Sequence, residues 1–418
     1  MKQLFFWFCL AVLGAVGAVS AQDAEADRFC ALPPHDQICA AYPFDQTEFG
    51  DNFEYMIVAK GVQAPFDAFG WKGFVALNWR DVRGADGPDQ WQNFTRTDAI
   101  VGLDPAGETC ADAPGPLRFS DLVQADGSSL IAQNGVPVVY ETRTNAVAAA
   151  YLNTAPSGDI NFPRGGDTED RPAVHVKTSW IALAGPDPRF ISERGAVYVP
   201  AEDSLSAEAM CIEGAFGLVG MHVMAKVASG NGDEWIWATF EHRNTVPTSV
   251  HARKINSLFT KELFPNGCPA PDDLSAELQD YLLFDPTCED CAVNQPLEGE
   301  VKWSQDWPHG VTPAGKPLMS NQITRCWQIF DATARTNAKW QAKLQGTPLA
   351  QYQLISVQWR GAQKSPIFEH GELPRFLSNV TMETFMQSDG TGSCLGCHAG
   401  AATSNGDFAD FSFFLRDF

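Results

Sequence analysis

A short segment near the end of the chain, Ser393-Cys394-Leu395-Gly396-Cys397-His398, holds two thiols three positions apart and an imidazole directly after the second thiol. Thiols at this spacing can each form a thioether with one vinyl group of a haem, and the following histidine then becomes the proximal iron ligand. The pattern predicts one covalent haem c, held by Cys394 and Cys397 and ligated by His398. A redox dithiol and half of a zinc site are the alternatives, and the zinc site would need two further ligands.

A second pair of cysteines has the same spacing but lacks the histidine. Cys288-Glu289-Asp290-Cys291 is followed by Ala292, so we predict a structural disulfide there rather than a second haem site. Outside the haem motif and the signal segment described below, the cysteines are even in number, which suits up to four disulfides in an oxidising compartment. Their spacing does not set the connectivity. They are Cys30, Cys39, Cys110, Cys211, Cys268, Cys288, Cys291 and Cys326.

The iron of such a haem needs any second axial ligand from upstream, because residues 399–418 contain neither histidine nor methionine. The haem motif also lies at the wrong end of the chain for the small cytochrome c fold, so we predict a non-standard cytochrome topology. The candidate sixth ligands, or residues of the haem pocket, are His242, His222 and Met382. We expect two predicted helices, at 319–344 and 376–387, as pocket walls, and the apolar segment 408–415 as a cover or an added strand.

Two of these candidates lie on a predicted β-hairpin. Asn231-Gly232 favours a two-residue turn, which would set His222 opposite Glu241 and separate apolar from polar side chains on the two faces. His242 is then the only polar residue on the apolar face, where a neutral imidazole needs a hydrogen bond or the iron. His222, facing Glu241, would be a ligand or a proton-transfer group. The alternative is a core histidine and an ordinary surface pair.

The chain divides into three predicted regions. Residues 1–21 have a basic start, an apolar run and small residues at 19–21, which is typical of a cleavable signal peptide. A β-rich domain is predicted at 22–245, and a more helical haem c-binding region at 246–418, with an irregular Cys- and Pro-rich loop at 265–317. The predicted fold class is therefore α+β, and the predicted location is the periplasm or another extracytoplasmic compartment.

The individual elements follow from residue type and periodicity, since β-branched and aromatic runs predict strands and helical spacing of apolar residues predicts helices. The predicted strands are 54–60, 73–79, 136–142, 174–183, 196–199, 217–227, 234–241 and 352–359. The predicted helices are 145–153, 248–263, 273–283, 319–344 and 376–387.

The acidic balance of the chain excludes one class of partner. There are 29 Lys and Arg residues against 51 Asp and Glu residues, which gives a formal net charge of −22. Phosphate binding needs a basic surface, so nucleic acid is not an expected partner. No segment after the signal is apolar for long enough to span a membrane. The expected partner is a redox protein, or a small-molecule oxidant or reductant.

Two blocks outside the haem motif carry a family resemblance. They are WIWATFEH at 235–242, with Asn244 and Pro247 following, and NVTMETFMQ at 379–387. Together with the motif, they make the chain resemble bacterial proteins described as cytochrome c family proteins. The resemblance implies extracytoplasmic haem binding and is compatible with electron transfer, but it implies no particular substrate.

The leading functional prediction is electron transfer by a periplasmic mono-haem c-type cytochrome. One alternative is a haem-dependent oxidoreductase that reacts with peroxide or another small oxidant at an open sixth position. Another is a haem-based sensor or binding module. A six-coordinate, low-spin haem would favour electron transfer, whereas a five-coordinate, high-spin haem would favour catalysis or sensing.

Overall fold

The computed structural model describes residues 38–40, 42–43, 63–165, 171–228, 233–246, 248–254, 281–288, 291–360, 372–373, 377–387 and 393–416. Across these residues the chain forms both helices and strands, which confirms the predicted α+β class. The predicted signal peptide, the predicted strand at 54–60 and most of the predicted helix at 273–283 lie outside the described residues.

The described strands are short except where the chain crosses the centre of the main sheet. They are β1 (Thr95–Arg96), β2 (Leu117–Phe119), β3 (Val138–Thr144), β4 (Val174–Leu183), β5 (Ser192–Val199), β6 (Met210–Ala228), β7 (Asp233–His242), β8 (Thr248–Lys254), β9 (Lys302–Trp303), β10 (Gly310–Val311), β11 (Arg325–Gln328), β12 (Tyr352–Arg360) and β13 (Glu372–Leu373).

Nine of the described strands form one curled sheet, in the order β1-β3-β4-β6-β7-β12-β13, with β5 and β2 attached through β6. Strand β6 is central because it is long enough to pair three times. Its residues 215–225 pair with β4, and its other edge pairs with β5 at 210–217 and with β7 at 220–228. Strand β12 pairs with β7, so residues from the predicted β-rich and helical regions share one sheet.

The helices are α1 (Gln63–Leu77), α2 (Trp79–Arg83), α3 (Thr97–Ile100), α4 (Pro105–Thr109), α5 (Ala146–Leu152), α6 (Asp331–Lys343) and α7 (Cys394–His398). Helix α1 lies against one side of β6, β7 and β12, and helix α6 packs beside it against β12. Trp71 of α1 stacks on Trp340 of α6 with ring centroids 6.0 Å apart, and Phe74 stacks on Phe240 of β7 at 4.2 Å. We call this side of the sheet, which carries Phe240 and Ala238, the packed face.

Most predicted strands are confirmed, and so is the short helix predicted at 145–153, which is α5. The prediction of a strand at 73–79 is wrong, because these residues end α1 and continue through a turn into α2. That run is apolar at nearly every position, and such runs do not distinguish a buried helix from a buried strand.

Three predicted helices are also corrected by the structure. The helix predicted at 248–263 begins instead as β8, which pairs with the distant β11, a non-local contact that no local pattern encodes. The helix predicted at 319–344 begins only at Asp331, after β11. The segment predicted as a helix at 376–387 contains only a 3-10 turn, Thr384–Met386, because its polar groups bond to the sheet instead.

Two disulfides join described cysteines, Cys110 with Cys211 and Cys288 with Cys291, and the second confirms the predicted structural role of that pair. Cys39 and Cys326 are disulfide-bonded as well. Cys394 and Cys397, in contrast, are free thiols. Over the described ranges, no helix has the length and apolar character needed to cross a membrane.

Candidate functional site

A row of side chains crosses four strands on the side of the sheet opposite the packed face. His175 of β4 pairs with Met224 of β6, Met224 pairs with Trp237 of β7, and Trp237 pairs with Gln358 of β12. Because neighbouring strands lie about 4.8 Å apart, the row is roughly 14 Å wide. We call this side, which carries His175, Met224 and Trp237, the cavity face.

Two residues further along the strands, a second row lies on the same face. Lys177 of β4 pairs with His222 of β6, and His222 pairs with Thr239 of β7. Side chains two positions apart on a strand point to the same side. The cavity face therefore combines two histidines and a lysine on adjacent strands, although each strand contributes only one or two of them.

The observed register corrects the predicted hairpin. His222 lies opposite Thr239 rather than Glu241, and the last pair before the turn is Ala228 with Asp233. Four residues therefore connect the strands, instead of the two-residue turn that Asn231-Gly232 predicted. The predicted division into two faces is nevertheless confirmed, because a slip of two residues returns every side chain to the same face.

The Cys394–His398 helix, α7, is attached to the end of the first row. Gln358 Nε2 donates to Ser393 Oγ at 3.0 Å, and Gln358 Oε1 accepts from the Leu395 backbone N–H at 2.7 Å. Ser393 is also the N-cap of α7, since its Oγ accepts from the Gly396 N–H at 3.1 Å. One glutamine of β12 thus fixes the start of the helix that carries both thiols.

The imidazole of His398 has one engaged nitrogen. Its Nδ1 donates to the backbone oxygen of Phe411 at 2.8 Å, and its ring meets Trp237 and Phe413 at 4.4 and 4.8 Å between centroids. Burial lowers the pKa of His398 to about 4, so the ring is neutral at pH 7. Because Nδ1 carries the proton, Nε2 keeps its lone pair, and it has no hydrogen-bond partner among the described residues.

The Phe411 oxygen is held in place by a buried ion pair. Asp410 accepts from Lys226 Nζ at 2.5 Å, from Trp235 Nε1 at 3.1 Å and from the Phe162 N–H at 2.8 Å. Asp410 and Phe411 have φ values of 46° and 65°. This is a left-handed backbone conformation that residues other than glycine rarely adopt. Such a backbone persists only where its surroundings over-determine it, and here Asp410 supplies those contacts.

A cavity of about 830 Å³ opens over both rows. It brings together the motif, the polar side chains of the cavity face and three aromatic rings of the C-terminal segment. Its lining includes His175, Lys177, His222, Met224, Trp237, Glu383, Met386, Cys394, Cys397, His398, Phe411, Phe413 and Phe414.

The two thiols lack the lowered pKa that is typical of a redox dithiol. Burial, with the carboxylate of Glu383 nearby, raises the pKa of both Cys394 and Cys397. An attacking redox thiol needs a lowered pKa. Within the described part of the chain, no cluster of three or more His, Cys, Asp or Glu side chains is placed to hold a metal ion.

A second histidine of the cavity is paired with a carboxylate. His222 Nε2 lies 2.9 and 3.0 Å from the two carboxylate oxygens of Glu383, while its buried Nδ1 has no partner in the described structure. Burial disfavours the charged form of Glu383, but His222, Lys177 and the Asn379 N–H outweigh it and lower the pKa of Glu383. The pair is therefore a carboxylate–imidazole unit inside the cavity.

The segment that carries Glu383 is bonded to the sheet at several points. Asn379 Nδ2 donates to Thr239 Oγ1 at 3.1 Å, the Val380 N–H donates to Glu241 at 2.8 Å, and Thr381 Oγ1 lies 2.7 Å from Ser179 Oγ. Glu241 is itself ion-paired with buried Arg325. These contacts explain why residues 377–387 form no regular helix, and they keep the Glu383 carboxylate at His222.

Two predicted site residues lie elsewhere. His242 packs on Phe190 at 4.5 Å within the main core, its Nε2 donates to the Arg189 backbone oxygen at 3.2 Å, and its Nδ1 accepts from the Asn244 N–H at 3.4 Å. Burial lowers its pKa to about 3. Met382 is fully buried in the same core. Neither residue lines the cavity, whereas Cys394, Cys397, His398 and His222 all do.

His175 is a cavity histidine that the sequence patterns did not single out. It lies on the cavity face of β4, its Nδ1 is 2.7 Å from Thr144 Oγ1, and burial lowers its pKa to about 3. Alternation along β4 places it on the same face as Lys177, which was readable from the sequence. The sequence did not show that His175 lies beside Met224, because this contact depends on the pairing of β4 with a strand many residues away.

The expected pocket walls are partly wrong. Helix α6, within the predicted helix 319–344, packs on the opposite, packed face against Trp71. The segment 408–415 does lie at the cavity, through Phe411, Phe413 and Phe414, but it forms turns and a 3-10 helix, Phe413–Leu415, rather than a paired strand. The segment predicted as a helix at 376–387 does line the cavity, but as a loop. The walls are therefore the sheet, loop segments and short helices, among them the motif helix α7, rather than the two predicted helices.

Comparison with known proteins yields no relative, since no protein-family model, no curated protein and no solved structure matches the chain. The resemblance to cytochrome c family proteins therefore stays a prediction from the blocks at 235–242 and 379–387. Any functional assignment has to come from the chemistry of the cavity itself.

Proposed function

We propose that the chain covalently binds one haem c, with Cys394 and Cys397 forming the thioethers and His398 Nε2 binding the iron. One observation carries the proposal. His398 donates through Nδ1 to a backbone oxygen and keeps the Nε2 lone pair, beside two free thiols in the same cavity. Metal-ligating histidines commonly donate their other N–H to a carbonyl or carboxylate, which fixes the tautomer.

The cavity also suits a large, mostly apolar group. Its volume of about 830 Å³ lies within the roughly 300–1,000 Å³ typical of ligand pockets. Trp237, Phe411 and Phe414 would contact the apolar ring. Lys177 and Arg416 also line the cavity, and their positive charges would favour the carboxylates of the propionates.

The function that we propose for this group is electron transfer outside the cytoplasm. The bound haem would supply a one-electron redox centre, and the chain's residues would hold it and limit its contact with water. Cys397 is exposed and Phe413 is 43% exposed, so the attachment edge lies near the surface, where a partner can approach. The acidic chain suits a basic partner. The disulfide Cys110–Cys211 supports an oxidising compartment.

The test is production of the full chain together with a c-haem maturation system. We expect one haem per chain that survives denaturing electrophoresis, and its loss when Cys394 and Cys397 are both replaced by alanine. The matched control is replacement of Cys288 and Cys291, the other pair at the same spacing, which should keep the haem. A wild-type protein without covalent haem, or a double variant that still retains it, would contradict the proposal.

A second candidate function is supported by the carboxylate–imidazole pair. His222 and Glu383 lie in the same cavity as His398, and such a pair could move a proton to or from a small oxidant such as peroxide. This function requires an open sixth position on the iron. We expect His222→Gln and Glu383→Gln to abolish peroxide turnover while retaining covalent haem if the protein is such an enzyme, and to leave partner reduction unchanged if it transfers electrons only.

A further inference from the structure

The histidine of the first row, His175, has the same hydrogen-bond pattern as His398. The Thr144 hydroxyl has one proton, and the Val174 backbone oxygen lies 3.2 Å from Thr144 Oγ1 as its acceptor. Thr144 Oγ1 can then accept from Nδ1–H of His175, at 2.7 Å. In this tautomer His175 Nε2 keeps its lone pair, as does His398 Nε2.

Nε2 of His175 has no partner although the side chain is buried. The residue is 3% exposed, and no described residue forms a hydrogen bond with this nitrogen. The ring is surrounded by Phe162, Trp235 and Phe414, with centroid distances of 4.7 to 5.2 Å. Buried polar atoms are nearly always satisfied, so an isolated one requires an explanation. An atom that binds at this position among aromatic rings would supply it.

The position of His175 relative to the motif fits that explanation. His175 and Trp237 lie in one row with Met224 between them, about 10 Å apart across two strand spacings. The His398 ring packs directly on Trp237. Two neutral imidazoles, each with a bare Nε2, therefore line the same cavity from opposite ends of a short row.

We infer that His175 Nε2 is the second axial ligand of the haem iron. The inference rests on the proposed covalent haem and names the residue that closes its sixth position. His222 is less suited, because its outer nitrogen, Nε2, is already bonded to the carboxylate of Glu383. Burial also lowers the pKa of His175 to about 3, which keeps the ring in the neutral form that a metal needs.

The inference is tested on the haem-loaded protein by absorption spectroscopy, carbon monoxide binding and redox titration. The wild type is expected to be low-spin in both oxidation states and not to bind carbon monoxide. In His175→Gly, the low-spin bands should be lost, carbon monoxide should bind, and free imidazole should restore the low-spin spectrum. His175→Met should stay low-spin with a higher reduction potential, because a thioether ligand raises it.

Three control variants separate the competing ligands. His222→Ala, Met224→Leu and Met386→Leu remove the other histidine and methionine side chains that line the cavity besides His398, and all three should keep the wild-type spectrum. A high-spin wild type with covalent haem, or loss of the low-spin bands only in a control variant, would overturn the assignment of His175 while leaving the proposed haem intact. Absence of covalent haem from the wild type would instead contradict the proposed function. If His175→Gly does not fold, an unchanged potential in His175→Met would count against the inference.

Discussion

Strands β6 and β7 have two buried faces that are stabilised in different ways. On the packed face, whole helices lie against the sheet, and large rings such as Trp71, Phe74 and Phe240 make non-directional contacts. On the cavity face, separate pieces of chain are held by individual polar contacts. Examples are Asp410 with Lys226 and Glu383 with His222. Close packing of large side chains therefore stabilises the packed face, whereas ion pairs and hydrogen bonds between particular atoms stabilise the cavity face.

The hydrogen bonds of the histidine rings also differ between the two faces. On the packed face, His242 has both ring nitrogens engaged by backbone groups. On the cavity face, His175, His222 and His398 each have one engaged nitrogen and one without a described partner. His242, which packs in the main core, is satisfied by its surroundings, whereas the three incompletely satisfied rings in one cavity support the proposed haem.

The largest effect is expected where the cavity face depends on a buried charge. Asp410→Ala removes the partner of Lys226 and also the acceptor of the Trp235 and Phe162 N–H groups. Breaking a buried ion pair from one side costs about 3–5 kcal/mol. We expect the free energy of unfolding, measured in denaturant, to fall by this amount.

The control for this variant is Asp407→Ala. The Asp407 side chain makes no hydrogen bond within the described ranges, and changes at such positions usually stay within about 0.5 kcal/mol. Equal losses for Asp410→Ala and Asp407→Ala would show that the ion pair does not hold the C-terminal segment.

The packed face contains a buried carboxyl with a pH-dependent effect of similar size. Asp67 of α1 accepts from Gln63 Nε2 and Thr333 Oγ1, and burial raises its pKa from 3.8 to about 7. A raised pKa means that the folded state binds the proton more tightly. The stability that this proton provides is present below about pH 4 and is lost as the pH rises through 7.

Asp67→Asn should remove that pH dependence. A shift of about three pKa units corresponds to roughly 4 kcal/mol as an upper limit. The variant should therefore be up to about 4 kcal/mol more stable than the wild type at pH 8, and nearly equal to it at pH 4. Urea unfolding at the two pH values measures this difference. A constant difference between the proteins at both values would contradict the raised pKa.

The two faces also differ in how far the sequence predicts them. Alternation along β6 and β7 correctly predicted which side chains share a face, because that period depends only on local geometry. The pairing partner of His222 was wrong by two residues, since it depends on the length of the connection. Helix α1 was missed because its apolar run shows no clear period.

The candidate site was predicted only where its chemistry is local. The spacing of Cys394, Cys397 and His398 is contiguous, so the motif could be recognised directly. The roles of His175 and of the Phe411 oxygen could not be recognised from the sequence. The position of His175 in the cavity depends on β4 lying beside β6, and the Phe411 oxygen is a backbone atom that any residue type could supply. Met382 was chosen by residue type, which does not say where a side chain lies. His242 was placed correctly on the apolar face, but backbone groups of Arg189 and Asn244 satisfy its ring, and those contacts could not be predicted locally.

A smaller effect is expected at Gly220 of β6, where the Asn379–Glu383 segment approaches the sheet. A Cβ at this position would lie 2.9 Å from Asn379 Oδ1 and closer still to Ser179 Oγ and Thr381 Oγ1, all held by hydrogen bonds. Gly220→Ala should lower the free energy of unfolding by about 1–3 kcal/mol, as overpacking does.

Gly214 is the matched control on the same strand, because a Cβ there meets only the Phe216 ring, at 3.8 Å. Gly214→Ala should be neutral or slightly stabilising, by up to about 1 kcal/mol, since it restricts the unfolded chain. Denaturant unfolding of both variants checks the pair. Similar losses of unfolding free energy in the two variants would mean that the close approach of the segment that carries Glu383 is not the reason why an alanine is unfavourable at position 220.

The smallest effect is expected at the cap of the motif helix. Ser393 Oγ accepts from the Gly396 N–H and from Gln358 Nε2, and removing an N-cap costs about 1 kcal/mol. Ser393→Ala should therefore lower global stability only slightly, yet speed amide hydrogen exchange at Gly396. Ser393→Thr keeps the hydroxyl and should exchange as the wild type does. If Ser393→Ala left hydrogen exchange at Gly396 unchanged, packing rather than the Ser393 hydrogen bonds would hold the start of the helix. This part of the cavity face would then be stabilised in the same way as the packed face.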